Sequence, residues 1–193
     1  TSAETLKIAQ SLYEKHKLIT YPRTESKHLP TEFAKSIHKQ LQAISTLETY
    51  KEVASTILQD SAKISSIVHN KKYVDDKKLT DHHAITVTDQ KIGKKNLTEA
   101  ELKIYHLVVK RLLSIYLPAY EIDKTAVVIK SGSELFKANG QVVIAEGYTA
   151  LYKKYAKKED KTLPPLTIGQ SLPVKQVNVL NKVTEPPVRY TDS

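Results

Sequence analysis

The sequence predicts a mixed α and β fold, helical over residues 1–120 and β-rich from 121 onward. Two observations carry this reading. Before Pro118, apolar residues recur at three- and four-residue spacing in several separate stretches, the period of a helix that buries one face. Beyond Pro118 the pattern shortens to β-branched and aromatic runs around Asn139-Gly140, a dipeptide suited to a two-residue hairpin turn. A chain of 193 residues holds one or two modest domains with a core.

The elements follow in order. Residues 3–16 read as an amphipathic helix with Leu6, Ala9, Leu12 and Tyr13 on one face and Ser2 as N-cap. Lys15, His16 and Lys17 gather at its C-terminal end, serving either the helix dipole or phosphate contact. Residues 18–29 read as extended. Pro30 and Thr31 open a helix over 31–44, striped by Phe33, Ile37, Leu41 and Ile44, and a third helix near 47–59 carries Tyr50, Val53, Ala54, Ile57 and Leu58. His38 reads as a surface residue. Residues 60–80 are polar and include Lys71, Lys72, Lys77 and Lys78. They read as a loop with one short strand, Ile64 to Val68; the charge run is most often a solvated face, with sequence-independent phosphate contact as the second reading.

Residues 98–117 form the clearest helix. Thr98 and Glu101 have capping-box spacing; Leu102, Tyr105, Val108, Val109, Leu112, Leu113 and Tyr116 then repeat at helical period until Pro118. Lys110 and Arg111 read as solvated, with a place near DNA as the second reading. The change of texture near 119–121 marks a domain boundary. Residues 125–130, 135–138 and 141–145 read as strands, the last two joined at Asn139-Gly140. Residues 148–155 are short and aromatic, Lys153, Lys154, Lys157 and Lys158 precede a Pro164-Pro165 break, and 171–182 is again β-rich.

Composition bounds the function. Lys and Arg outnumber Asp and Glu by 30 to 21, a net charge of +9, which favours a polyanionic partner. No apolar run is long enough to span a bilayer and no signal-peptide pattern is present, so nucleic acid is favoured over a membrane surface. The absence of cysteine excludes a disulfide framework and a thiolate metal site and fits a cytoplasmic protein. There is no glycine-rich phosphate loop and no internal repeat. Methionine is absent and the chain runs from Thr1 to Tyr190-Thr191-Asp192-Ser193. That pattern reads as an excised piece of a larger protein, or as a chain from which modified methionines have been left out.

The chemistry concentrates in Leu18-Ile19-Thr20-Tyr21-Pro22-Arg23-Thr24-Glu25-Ser26. Pro22 fixes its own φ and pushes Tyr21 toward an extended conformation. In an extended chain, side chains two apart share a side, so Tyr21, Arg23 and Glu25 project together. A phenol with a pKa of about 10 is a poor nucleophile at neutral pH unless a nearby cation favours the phenolate. A guanidinium supplies that charge and a planar fork matched to phosphate oxygens. The pair suits attack of a tyrosine on a phosphodiester. The plain alternative for an isolated Tyr-Pro-Arg is a half-buried strand tyrosine beside a surface charge. Asp81-His82-His83-Ala84-Ile85 adds a second cluster. Its adjacent histidines face opposite ways in an extended chain, so at most one enters a site with Tyr21. A metal pair is disfavoured, because no cysteine or carboxylate cluster completes a ligand set.

Ile19-Thr20-Tyr21-Pro22-Arg23-Thr24-Glu25-Ser26 resembles the active-site signature of the type IA DNA topoisomerases in their bacterial topoisomerase III form. Asp81-His82-His83-Ala84-Ile85 resembles the second catalytic motif of that family, although Val87 stands where the family usually has proline. Pro186-Pro187-Val188-Arg189-Tyr190-Thr191 resembles the segment that re-enters its DNA-gripping domain. The resemblance implies a helical catalytic domain with a winged-helix-like core over 1–120, part of a β-rich arch or gate over 121–185, and the start of the next DNA-binding domain at 186–193. It implies cleavage of one DNA strand by Tyr21 through a 5′-phosphotyrosyl bond, strand passage and resealing without ATP. Arg23 would hold the scissile phosphate and His82 would assist. Lys17, Thr24, His83, Arg189 and Tyr190 become candidate DNA contacts, and Glu25 would orient Arg23 by a salt bridge. Mg²⁺ and the general-acid lysine would belong to an acidic domain with no counterpart in this sequence. There is thus no metal ligand set here, and the chain alone should not turn over. Implied partners are single-stranded DNA and the remaining domains of the parent chain; the implied setting is the nucleoid.

Two rival classes stand beside this one. A non-catalytic single-strand-binding module would use the +9 charge and the 11 tyrosines for phosphate contact and base stacking. Relaxases and tyrosine recombinases also use tyrosine nucleophiles. A recombinase needs several arginines around its tyrosine, and only Arg23, Arg111 and Arg189 occur. A relaxase needs a spaced histidine triad, which is missing.

Overall fold

The structure is a computed structural model that describes residues 1–152, 162–187 and 189. The chain divides into two compact units, Thr1–Ile122 with Val143–Glu159, and Asp123–Val142 with Asp160–Ser193.

The first unit is helical. Helix α1 (Ser2–Glu14) starts one residue earlier than the sequence suggests, because Thr1 is the N-cap and closes a capping box with Glu4. The helix expected over 31–44 is two, α2 (Thr31–Lys35) and α3 (His38–Ile44). The break falls at Ser36, whose hydroxyl donates to the Phe33 carbonyl at 3.0 Å, a local bond that competes with the helical ladder. The apolar stripe survives the break, since Ile37, Leu41 and Ile44 are buried. A 3-10 turn at Glu48–Tyr50 leads into α4 (Lys51–Gln59).

The strand expected at Ile64 to Val68 is instead helix α5 (Ser61–Val68). Its β-branched residues suggest a strand, but the Asp60 side chain accepts from the Lys63 N–H as an N-cap, and Ile64 and Ile67, three apart, are the buried pair. Helix α6 (Glu99–Ser114) carries the predicted Thr98–Glu101 capping box and buries Tyr105, Val109, Leu112 and Leu113. Its partner is α1. The core they share includes Leu12, Leu18, Ile19, Val87 and Tyr116.

Strands β1 (Glu121–Ser131) and β2 (Glu134–Ala145) form a two-stranded hairpin. Its turn is Gly132-Ser133, with Gly132 at φ +61°, a two-residue loop with glycine first. Asn139-Gly140 is therefore not the turn. It runs inside β2 with Gly140 buried. After β2 the chain enters a 3-10 turn, Gly147–Tyr152, and the Tyr148 N–H donates to the Pro118 carbonyl at 2.9 Å. In the second unit, 163–172 runs alongside 125–130. The β-rich stretch 171–182 forms no strand and leaves Val174, Val177, Val179 and Leu180 exposed.

Candidate active site

The site is built where α1 ends. The Leu18 N–H reaches back to the Leu12 carbonyl at 2.9 Å, and Lys17 takes the left-handed conformation with φ 57° to make that reversal. The chain leaves extended and pairs antiparallel with the strand that carries the histidines, Ile19 opposite Val87. The Thr20 N–H donates to the Thr86 carbonyl at 2.8 Å, and the Thr88 N–H to the Leu18 carbonyl at 3.0 Å. These bonds flank the Ile19–Val87 pair, so the Val87 N–H is not part of the ladder. A proline there would cost no sheet bond, so the ladder itself does not distinguish the two residues. Leu18, Ile19 and Val87 are all but fully buried, so both faces of this short strand pair are covered.

Threonines stitch the two strands together. The Thr20 hydroxyl accepts from the Thr86 N–H at 2.9 Å, the Thr24 hydroxyl donates to the His82 carbonyl at 3.2 Å, and the Thr88 hydroxyl donates to the Lys17 carbonyl at 2.6 Å. Further along, the Ala84 N–H donates to the His28 carbonyl at 2.9 Å. This lacing brings residues 61 apart in sequence into ring contact: Tyr21 and His82 lie 4.3 Å centroid to centroid, tilted by 40°.

From Pro22 to Lys27 exposure alternates. Arg23, Glu25 and Lys27 face solvent while Pro22, Thr24 and Ser26 are more covered, the period of extended chain. Arg23 is open to an incoming ligand. The expected Arg23–Glu25 salt bridge is not formed among the described residues; two exposed, fully hydrated charges gain little from pairing. His82 is exposed and His83 half-buried. The two rings face different neighbours, as adjacent residues of extended chain should. His83 lies against Phe33 at 5.7 Å, and its Nδ1 sits 2.8 Å from the Ala84 carbonyl. A carbonyl only accepts, so Nδ1 carries the proton and Nε2 is the atom left for other partners. The Thr24 hydroxyl also accepts from the Ser26 N–H at 3.1 Å, so both of its roles are engaged within the loop.

Two features have no counterpart in the sequence reading. Tyr13, assigned there to the core stripe of α1, packs edge-on against Tyr21 with centroids 5.4 Å apart and planes at 78°, and the Lys17 ammonium lies 5.6 Å from the Tyr13 ring centre. His16 is not solvated but buried, with its Nε2 3.2 Å from Glu101 Oε1, though without the angle of a hydrogen bond. Glu101 also accepts from the Ser11 hydroxyl at 2.6 Å and from the Thr98 N–H at 2.8 Å. These donors, Ser11 foremost, hold its carboxyl well below the usual carboxylate range, at about 2, against the opposing effect of burial. Lys95 Nζ donates to the His16 carbonyl at 2.8 Å. The end of α1 is thereby tied to the start of α6 two residues before the Tyr21 strand begins at Leu18.

Arg189 is exposed and belongs to the second unit. Tyr190 lies outside the described residues, as do Lys153, Lys154, Lys157 and Lys158. Among the described residues no group of three or more His, Asp or Glu gathers as a metal ligand set.

The family model described as DNA topoisomerase matches residues 1–193. DNA topoisomerase 3 of Bacillus subtilis (strain 168) is 34% identical over 198 residues, covering 100% of this chain and 26% of that protein. The DNA topoisomerase 3 of Bacillus licheniformis is 34% identical over 197 residues, with 100% and 26% covered. That of Bacillus anthracis is 34% identical over 200 residues, with 100% and 27% covered. The chain spans about a quarter of the length of these curated relatives.

Proposed function

The chain belongs to the type IA DNA topoisomerase family, and from that premise we propose that it carries the nucleophile of reversible DNA strand cleavage. The Tyr21 oxygen attacks the phosphorus of a phosphodiester. A bond forms between the phenolic oxygen and phosphorus, and the bond from phosphorus to the 3′ oxygen breaks. The phenol loses its proton and the departing 3′ oxygen gains one. The strand stays attached through a 5′-phosphotyrosyl ester of similar energy to the bond it replaces, so reversal reseals the strand without ATP.

The observation that carries this reading is the contact of Tyr21 with His82, with Arg23 exposed two residues along the same extended strand. Arg23 would grip the two non-bridging oxygens and hold the charge that builds on them. His82, kept against the Tyr21 ring by the Thr24 bond to its own carbonyl, would contact the phosphate or relay the phenolic proton. Lys17, His83, Arg189 and Tyr190 would contact the flanking single strand, and Thr24 would line the same groove. In the longer protein, residues outside this chain would bind Mg²⁺ and supply the general acid; the ion would neutralise phosphate charge, and the chain alone would not turn over. Passage of a second strand through the break would then change linkage. Such a protein would work on nucleoid DNA in the cytoplasm.

The test uses the full-length protein. Tyr21→Phe should abolish relaxation of negatively supercoiled DNA while leaving single-stranded DNA affinity unchanged. Unchanged relaxation in the variant would favour the single-strand-binding module instead.

A further inference from the structure

We propose that Tyr13 is a positioning residue that pre-sets the rotamer of Tyr21, a role that rests on Tyr21 being the nucleophile. Tyr21 touches two rings: Tyr13, edge to face at 5.4 Å, and His82, tilted at 4.3 Å. The ring on a nucleophilic phenol must present its oxygen in line with the bond it breaks. An unrestrained tyrosine samples several rotamers, and most of them point away. His82 lies on the exposed side of the site. Tyr13 sits half-buried in the last turn of α1 beside fully buried Leu12. It is the more enclosed wall of the pair.

The geometry of Lys17 supports the same assignment. Its left-handed backbone, φ 57°, is one that glycine adopts without strain and lysine does not. The lysine side chain found there places its ammonium 5.6 Å from the Tyr13 ring centre, on the π system of the ring that touches Tyr21. The left-handed turn that ends α1 thereby sets a cation against the ring that contacts Tyr21. Among the described residues the Tyr13 hydroxyl has no hydrogen-bond partner. The ring, not the oxygen, is what matters, so phenylalanine should serve in its place and an aliphatic residue should not.

The experiment compares full-length wild type, Tyr13→Phe, Tyr13→Leu and Tyr21→Phe with Mg²⁺ and an end-labelled single-stranded oligonucleotide. It reads the single-turnover cleavage rate, the dissociation constant for the oligonucleotide, and the ring-proton NMR shifts of Tyr21. Tyr13→Leu should slow cleavage by on the order of tenfold to a hundredfold at an unchanged dissociation constant, and Tyr13→Phe should restore the rate to within about twofold. The Tyr21 ring protons should be displaced by ring currents in wild type and Tyr13→Phe, and should move toward free-tyrosine values in Tyr13→Leu. Cleavage by Tyr13→Leu at the wild-type rate, with adduct lost in Tyr21→Phe, overturns the positioning role alone. Adduct that survives Tyr21→Phe overturns the nucleophile reading and this proposal with it. If Tyr13→Leu fails to fold, the Tyr21 shifts in wild type decide: free-tyrosine values there contradict the packing on which the role depends.

Discussion

Arg23 stands exposed with no carboxylate partner among the described residues, two positions beyond a tyrosine already wedged between two rings. A guanidinium left free in this way is available to a phosphate. Arg23→Ala should lower the single-turnover cleavage rate by roughly a hundredfold to a thousandfold, the usual loss when one donor to a developing oxyanion is removed. Arg23→Lys should recover only part of it, since lysine keeps the charge but not the fork. Lys17 separates stability from binding in one substitution. Lys17→Gly relieves a left-handed backbone worth about 1 kcal/mol and gives up an exposed cation–π contact of about 0.5 kcal/mol. The variant should therefore be slightly more resistant to urea than wild type. The same change should weaken single-stranded DNA binding and reduce the slope of log K against log salt by about 0.7, as one phosphate contact is lost.

At the scale of elements, the lock between α1 and α6 is the feature to probe. Glu101 accepts from Ser11 and Thr98 and lies beside His16, and its carboxyl is held at about 2 rather than 4.5. Because the folded value is depressed, its stabilisation is complete above about pH 4.5 and is lost as pH falls toward 2. Glu101→Gln should lower stability at neutral pH and flatten the acid limb of an unfolding-midpoint profile by close to one proton. A profile as steep as wild type would mean that other carboxylates carry the acid sensitivity. The 118–152 return is equally specific. A Cβ on Gly147, at φ +48°, would lie 2.1 Å from the Ala119 carbonyl oxygen, so Gly147→Ala should destabilise by more than about 2 kcal/mol, read as a lowered urea midpoint.

Much of this architecture was legible in the residues themselves. The Thr98–Glu101 box, the stripe of α6 and the opposed directions of His82 and His83 all follow from local rules, and the structure reproduces them. The departures share a cause. Ile64 to Val68 looks like a strand by side-chain type, but a cap at Asp60 and burial of Ile64 and Ile67 make it helical. Asn139-Gly140 looks like a turn, but Gly132-Ser133 makes the hairpin first. The contact of Tyr13 with Tyr21 and the burial of His16 against Glu101 are tertiary events across a helix end. No spacing rule encodes them.

Over the whole molecule, a net charge of +9 sets up long-range attraction to a polyanion, and among the described residues no helix is long and apolar enough to cross a membrane. On the proposed reading the charge would draw DNA in, and the laced strands of 18–20 and 86–88 would present Tyr21 to it. Trapping the covalent intermediate tests that division most directly. The full-length protein is incubated with Mg²⁺ and a single-stranded oligonucleotide, denatured and digested, and the DNA-bearing peptide is sequenced by mass spectrometry. The account predicts a peptide containing Tyr21 esterified to the 5′ phosphate of the downstream fragment. Attachment through a 3′ phosphate, attachment at another residue, or no adduct from a protein that still binds the strand would contradict it.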